Sequence, residues 1–326
     1  MVGFVGQSPT LYVAGLTTFT RILTFGVKFT RYLYVIDYRT VKKLITIACL
    51  TIASTGFSQN LGIELFAGTS NYQGDLLESR YTFKGAKLAL GGGLSYAFTN
   101  HFTARAMFMY GQIGADDKNN KDPFLINRNL NFKSSVFEFG VQGLYHILNT
   151  DDHRINPYLM AGISLFRFNP YTYDTLGSKY YLKPLSTEGQ GLSQYPDRKE
   201  YSLTQISIPF GAGIKFSVTE SISIAWEIGL RKTFTDYLDD LSNTYIDEAT
   251  LLAERGAKAV ELAYRGGEIK NGNPVFPADG TIRGGPDFKD WYYFSGIHAT
   301  FKINDPSFGG KNRIKGSKTS CPGPVY

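Results

Sequence analysis

The chain has 326 residues, with 22 Tyr, 24 Phe, 35 Gly and only two Cys. Abundant aromatics and glycines among short alternating runs predict an all-β protein, and two Cys exclude a disulfide scaffold. The formal net charge of +6 is not a nucleic-acid signature, because five of those six charges lie in residues 1–58 (Arg21, Lys28, Arg31, Arg39, Lys42 and Lys43 against Asp37).

Residues 41–58 read as a secretory signal peptide. Lys42 and Lys43 supply the basic start, Leu44–Ala53 the apolar stretch, and Gly56 and Ser58 the small residues before a cut ahead of Gln59. Cys49 lies inside the apolar stretch, where lipidation would leave that stretch too short. Residues 1–40 precede a complete signal and read as a non-native leader from a mis-set start, with Val41 as the expected start.

From residue 59 the pattern has period two. Strand one is expected over Leu61–Ser70, with Leu61, Ile63, Leu65 and Ala67 on one face and Glu64 on the other. A polar loop follows, then strand two over Ala86–Phe98, with Lys87 on the polar face. Thr99-Asn100 makes a tight turn into strand three, Phe102–Ala115, with Arg105 on the polar face. Strand four covers Phe132–Ile147, with Phe137, Phe139 and Val141 opposite Glu138 and Gln142. Strand five is Pro157–Phe168, and a long loop rich in Tyr, Gly and Pro runs to Tyr201. Strand six is Ser202–Val218, with Lys215 on its polar face. Strand seven, Ser221–Phe234, sets Ile222, Ile224, Trp226, Ile228 and Leu230 against Glu227 and Arg231. The longest insertion, Leu238–Asp290, contains a stretch of helical spacing at Asp247–Tyr264. Strand eight is Trp291–Ile303, with His298 and Lys302 on the polar face, and residues 304–326 form a basic tail.

Connections alternate. They are long after strands one, three, five and seven and short after two, four and six. That asymmetry, with strands of membrane length, predicts an eight-stranded antiparallel outer-membrane β-barrel over 59–303. Both mature termini are then periplasmic, the long loops are extracellular, and outer-membrane lipid is the surrounding partner. Glu64, Lys87, Arg105, Glu138, Glu227, Arg231, His298 and Lys302 are expected to form a lumen charge network. An eight-stranded barrel is just wide enough for its side chains to fill, so these charges read as a plug and not a pore lining.

No cofactor or metal site is expected, because no His and carboxylate cluster recurs at ligand spacing. Catalysis is disfavoured as well. His101, His146 and His153 fall near short turns and His298 in the lumen, so no His is expected in the long loops, where a barrel lipase or acyltransferase would need one. The loop tyrosines Tyr72, Tyr81, Tyr171, Tyr173, Tyr180, Tyr181 and Tyr195 could serve protein contacts or pack the loops together.

Three stretches carry a family resemblance: YQGDL at Tyr72–Leu76, PFGAGIKF at Pro209–Phe216, and EIGLRKTFTDYLDDLS at Glu227–Ser242. With Arg255-Gly256 and Tyr264-Arg265-Gly266, they resemble the PorG-like outer-membrane barrels of Bacteroidetes type IX secretion systems. The resemblance implies a non-enzymatic part of that machinery, contacting a periplasmic ring formed by a lipoprotein and its partner. It carries no catalytic residues. Topology then makes Asp151, Asp152, His153, Arg154, Arg313 and Lys315 candidate ring contacts, with Cys321 able to form an intermolecular disulfide. The alternatives are a stand-alone surface barrel for adhesion or ligand binding and, less favoured, a lipid-modifying enzyme.

Overall fold

The structure is a computed structural model and describes residues 60–77, 85–285 and 289–303. The signal stretch, Tyr81 and the basic tail with Arg313, Lys315 and Cys321 lie outside the described residues.

Among the described residues ten strands form one antiparallel sheet: β1 (Leu61–Gln73), β2 (Lys87–Ala97), β3 (Phe102–Asp116), β4 (Asn131–His146), β5 (Ile155–Arg167), β6 (Tyr171–Tyr173), β7 (Lys179–Tyr181), β8 (Thr204–Ser217), β9 (Ile222–Thr233) and β10 (Trp291–Lys302). Eight of them close into a barrel. The order β3-β2-β1-β10-β9-β8-β5-β4 is completed by a β3–β4 ladder. First and last strands pair from Gly62↔Lys302 to Gln73↔Trp291. Every barrel strand is therefore hydrogen-bonded on both sides, as a membrane interior demands of a β structure.

The faces are inverted relative to a soluble barrel. Leu88 is 68% exposed, Phe108 67%, Ile163 59% and Trp226 49%, while the intervening Glu64, Arg105, Glu138 and Glu227 are buried in the bore. Apolar residues outside and charges inside define a membrane-spanning barrel. Glycine adjusts the wall where large lumen side chains come close. A Cβ on Gly93 would lie 2.0 Å from the Ala106 carbonyl oxygen and 2.7 Å from Met107 Sδ, so only glycine fits beside that methionine.

Short turns join β2 to β3, β4 to β5 and β8 to β9. At the other end, long loops build a second structured layer with its own apolar cluster of Leu192, Ile246, Leu251, Ala259 and Ala263. It holds helices α1 (Pro123–Arg128), α2 (Glu248–Arg255) and α3 (Ala257–Ala263). The sequence predicts one helical stretch over Asp247–Tyr264. The structure splits it at Gly256, whose φ of +83° favours glycine and ends α2. The β6–β7 hairpin and α1 are additions to the expected scheme. Their segments are too short for periodicity to register.

Candidate functional site

Two polar layers and an apolar cluster occupy the bore, taken from the short-turn end. The first is built on Arg105. Its neighbour across the β3–β4 ladder is Gln142, whose Oε1 accepts from Arg105 Nε at 3.0 Å and Nη2 at 2.6 Å. From the opposite wall Glu227 meets the same guanidinium at 2.8 Å. Glu227 also accepts from Tyr158 Oη at 2.7 Å and faces His298 Nε2 at 3.3 Å. His298 Nδ1 lies 3.3 Å from Arg105 Nη1. With Nε2 as donor and Nδ1 as acceptor the ring satisfies both contacts. Glu64 is held by Thr300 Oγ1 at 3.1 Å and lies 4.0 Å from His298.

The second layer pairs Arg231 with Glu138 at 3.1 Å. Tyr292 Oη donates to Glu138 at 2.6 Å, and the guanidinium lies 4.5 Å from the Phe294 ring centroid. Phe66, Met107, Met109, Phe166 and Phe294 belong to the apolar cluster that occupies the remaining bore. Arg105 with Glu227 and Arg231 with Glu138 thus each set a buried charge against an opposite one with further hydrogen bonds, which burial requires, while Glu64 is held by the Thr300 hydroxyl.

Two members of the expected network stand apart. Lys302 is exposed at the end of β10, and Lys87 is half-buried at the start of β2, and neither has a salt bridge among the described residues. Both occupy strand ends, where water solvates an ammonium. Lys302 and Lys215 instead border a cavity of about 50 Å³ at the short-turn end, with Glu64, Arg105 and His298. Among the described residues no group of His, Cys, Asp or Glu is arranged to hold a metal ion.

The expected docking residues Asp151, Asp152, His153 and Arg154 are all exposed in the β4–β5 turn. Asp151 accepts from Asn100 Nδ2 at 2.9 Å, tying this turn to the β2–β3 turn. His101 Nδ1 lies 2.9 Å from the His146 carbonyl oxygen in the same region.

The loop end holds a polar network that strand periodicity does not signal. Tyr72, expected as a loop tyrosine, is wholly buried, and its hydroxyl donates to Asp239 Oδ2 at 2.5 Å. The YQGDL and DYLDDL segments, far apart in sequence, meet at this bond. Asp290 accepts from the Leu238 N–H at 2.9 Å and lies within 3.3 Å of Tyr72 Oη. Tyr201 Oη donates to Asp240 at 2.7 Å. Arg283 reaches Glu188 at 3.0 Å and the Asp240 carbonyl at 2.8 Å. Arg128 grips Asp117 with two 2.8 Å bonds and donates to the Arg283 carbonyl. Burial pushes the carboxyls of Asp239 and Asp290 upward, with repulsion from Asp75 adding to it at Asp239 and from Asp239 and Asp236 at Asp290. Burial also raises Asp236 and Asp240 to about 6, against opposing help from Ser242 and Arg283 respectively. Three acids in five residues beside a strand end, Asp236, Asp239 and Asp240, are a sequence feature that marks the acidic side of this network, though not the residues that meet it.

A closed eight-stranded membrane barrel with a charge-filled bore and a structured loop cap is thus the class of protein. The chain belongs to the family described as a domain of unknown function, DUF6089, whose profile matches residues 41–252. No curated relative matches the chain. Among solved structures it is similar to Neisserial surface protein A (11% identity, TM-score 0.37), covering 74% of this chain and 97% of that one. It is also similar to Ail, the attachment invasion locus protein of Yersinia pestis, solved with the heparin analogue sucrose octasulfate (9% identity, TM-score 0.36, 75% and 98% coverage). The outer membrane enzyme PagL is a further likeness (10% identity, TM-score 0.29, 74% and 99% coverage). The barrel itself rests on the strand ladders described above.

Proposed function

We propose that this protein is a non-enzymatic outer-membrane component of the type IX protein secretion machinery that anchors or docks the periplasmic ring. The observation that carries the reading is the filled bore: a barrel sealed by Arg105–Glu227 and Arg231–Glu138 suits an anchor better than a conduit. The resemblance of Tyr72–Leu76 and Glu227–Ser242 to PorG-like barrels supplies the machinery. In this reading the short-turn end and both mature termini face the periplasm, and the exposed Asp151, Asp152, His153 and Arg154 are the docking surface, together with Arg313, Lys315 and Cys321.

The test is affinity purification of the tagged chain from native outer membranes in mild detergent, with co-purifying proteins identified by mass spectrometry. Recovery of the ring lipoprotein and its partner supports the reading. Charge reversal at Asp151 and Asp152 combined with reversal at Arg313 and Lys315 then has to abolish recovery, and unchanged ring association overturns the docking surface.

A second reading is a stand-alone surface barrel for adhesion or ligand binding. It is favoured by the ordered cap, which is larger than loop closure alone requires. Its distinguishing outcome is normal export of secreted cargo in cells that lack the protein.

A further inference from the structure

The outward face of the barrel is not uniform. Across β2, β3, β4 and β5 it is indented by a groove of about 600 Å³. Its walls are Leu90, Phe108, Phe137, Phe139 and Leu165, and Arg167 lies on its rim. The aromatic walls are paired: the Phe108 and Phe139 rings are 4.7 Å apart, and the Tyr110 and Phe137 rings 4.9 Å apart. These side chains are exposed, Phe108 by 67% and Phe137 by 59%. In register, Phe108, Phe139 and Leu165 form one level, and Tyr110, Phe137, Arg167 and Thr204 form the next level toward the loop end.

Above that level the same face turns cationic. Lys133 lies on β4 four residues beyond Phe137, about 13 Å along the strand. Opposite Lys133 the β6–β7 hairpin continues the sheet through Tyr171. Lys179 lies 3.7 Å from the Tyr171 ring centroid and 4.6 Å from that of Tyr181, and Lys133 lies 5.4 Å from the centroid of Tyr173. Aromatic rings hold these ammonium groups at the surface without neutralising them. Among the described residues, Arg167, Lys133 and Lys179 form no salt bridge with a carboxylate. The column therefore reads, from the middle of the barrel outward, apolar groove, guanidinium, then lysines framed by tyrosines.

We propose that this column is a binding site for one phosphorylated lipid of the surrounding outer leaflet, with an acyl chain in the Phe108–Phe139–Leu165 groove and phosphate on Arg167, Lys133 and Lys179. The proposal rests on the membrane placement given above but not on the secretion role. Charge complementarity selects the occupant. A neutral lipid leaves three cations facing its headgroup without anions, and a free phosphate leaves the groove empty. Guanidinium suits phosphate by its forked donors, and tyrosine suits the level where headgroup meets hydrocarbon.

The full chain is reconstituted in phosphatidylcholine vesicles with and without a minor fraction of phosphatidic acid. Flotation scores insertion, and native mass spectrometry after detergent extraction scores retained lipid. The variants are Lys133→Gln, Arg167→Gln and Lys179→Gln, singly and combined, with heat-modifiable gel mobility verifying a closed barrel in each. One phosphatidic acid is expected to remain on the wild-type chain. Its apparent affinity falls about fivefold for each cation removed and about 100-fold in the triple variant, from the attraction of one basic side chain to an anionic surface. Phe108→Ala with Phe139→Ala is expected to reduce retention of long acyl chains more than short ones. Insertion with equal retention of phosphatidylcholine overturns the site while leaving the barrel reading intact. Full displacement by inorganic phosphate overturns the lipid as occupant. A second copy of the chain on this face, seen as a dimer that excludes lipid, does the same. Failure to float overturns the membrane placement and the site together.

Discussion

Arg105 is the residue on which the lower bore depends. It bridges Gln142, Glu227 and His298, and it is buried to 2% exposure. Replacing it with Met leaves Glu227 as a buried anion with only Tyr158 and His298 beside it. Such a half-pair costs about 3–5 kcal/mol. The temperature at which Arg105→Met loses its compact gel mobility is expected to fall well below wild type, and Arg105→Met with Glu227→Gln to recover much of the loss. In the cap, the corresponding residues are Asp236 and Asp240. Their folded-state values of about 6 lie above the ordinary aspartate value of 3.8. A raised carboxyl favours the folded state fully below the ordinary value, and the benefit is lost as pH rises through about 6. Limited proteolysis of the loops is therefore expected to quicken between pH 4 and pH 6, with Asp240→Asn flattening the profile. A profile independent of pH in wild type would contradict these burial-raised values.

At the scale of elements, the strands were legible and the cap was not. Ser221–Phe234 alternates with period two, and its outward Ile224 and Trp226 and inward Glu227 and Arg231 fall as the pattern requires. Boundaries shift by a few residues, since β1 continues to Gln73, past the expected end at Ser70. That continuation carries Tyr72 into the cap, where it is buried instead of displayed. Periodicity identifies faces within an element. It does not say which distant elements meet, so the Tyr72–Asp239 contact and the Arg128–Asp117 clamp had no sequence signal. The helical stretch is legible by composition, yet spacing alone does not mark its break at Gly256. At Gly256 a Cβ would meet nothing within 4 Å, so the constraint is conformational and not steric crowding. Gly256→Ala is expected to destabilise the α2–α3 corner by about 1–2 kcal/mol, seen as faster amide exchange in Glu248–Ala263. Asp247 caps α2 by accepting from the Thr250 N–H at 2.8 Å. Asp247→Ala is expected to loosen the same helix by about 1 kcal/mol.

For the whole molecule, filling of the bore governs transport. Two ion-pair layers and an apolar cluster occupy the bore, and a cavity of about 50 Å³ lies among Glu64, Arg105 and Lys215 at the short-turn end. In planar bilayers the wild-type chain is expected to show no stable conductance steps. Arg105→Ala with Arg231→Ala removes the largest side chains of both layers and is expected to introduce small, flickering events if the barrel stays closed. Steady large conductance from the wild-type chain would mean that the layers separate in a membrane.

Pairing of β1 with β10 also has a bearing on manufacture. A hoop whose clasp joins its two ends cannot be fastened until the final strand arrives. Until then, the upstream edge of β1 and the free edge of β9 both offer unpaired backbone groups to any neighbour. A copy cut short before Trp291 would keep two sticky margins indefinitely, each marking it for capture by assembly catalysts or disposal by proteases. Completed copies lose those margins at the moment of fastening, so a surveillance system needs to sense only an open seam to tell finished product from scrap.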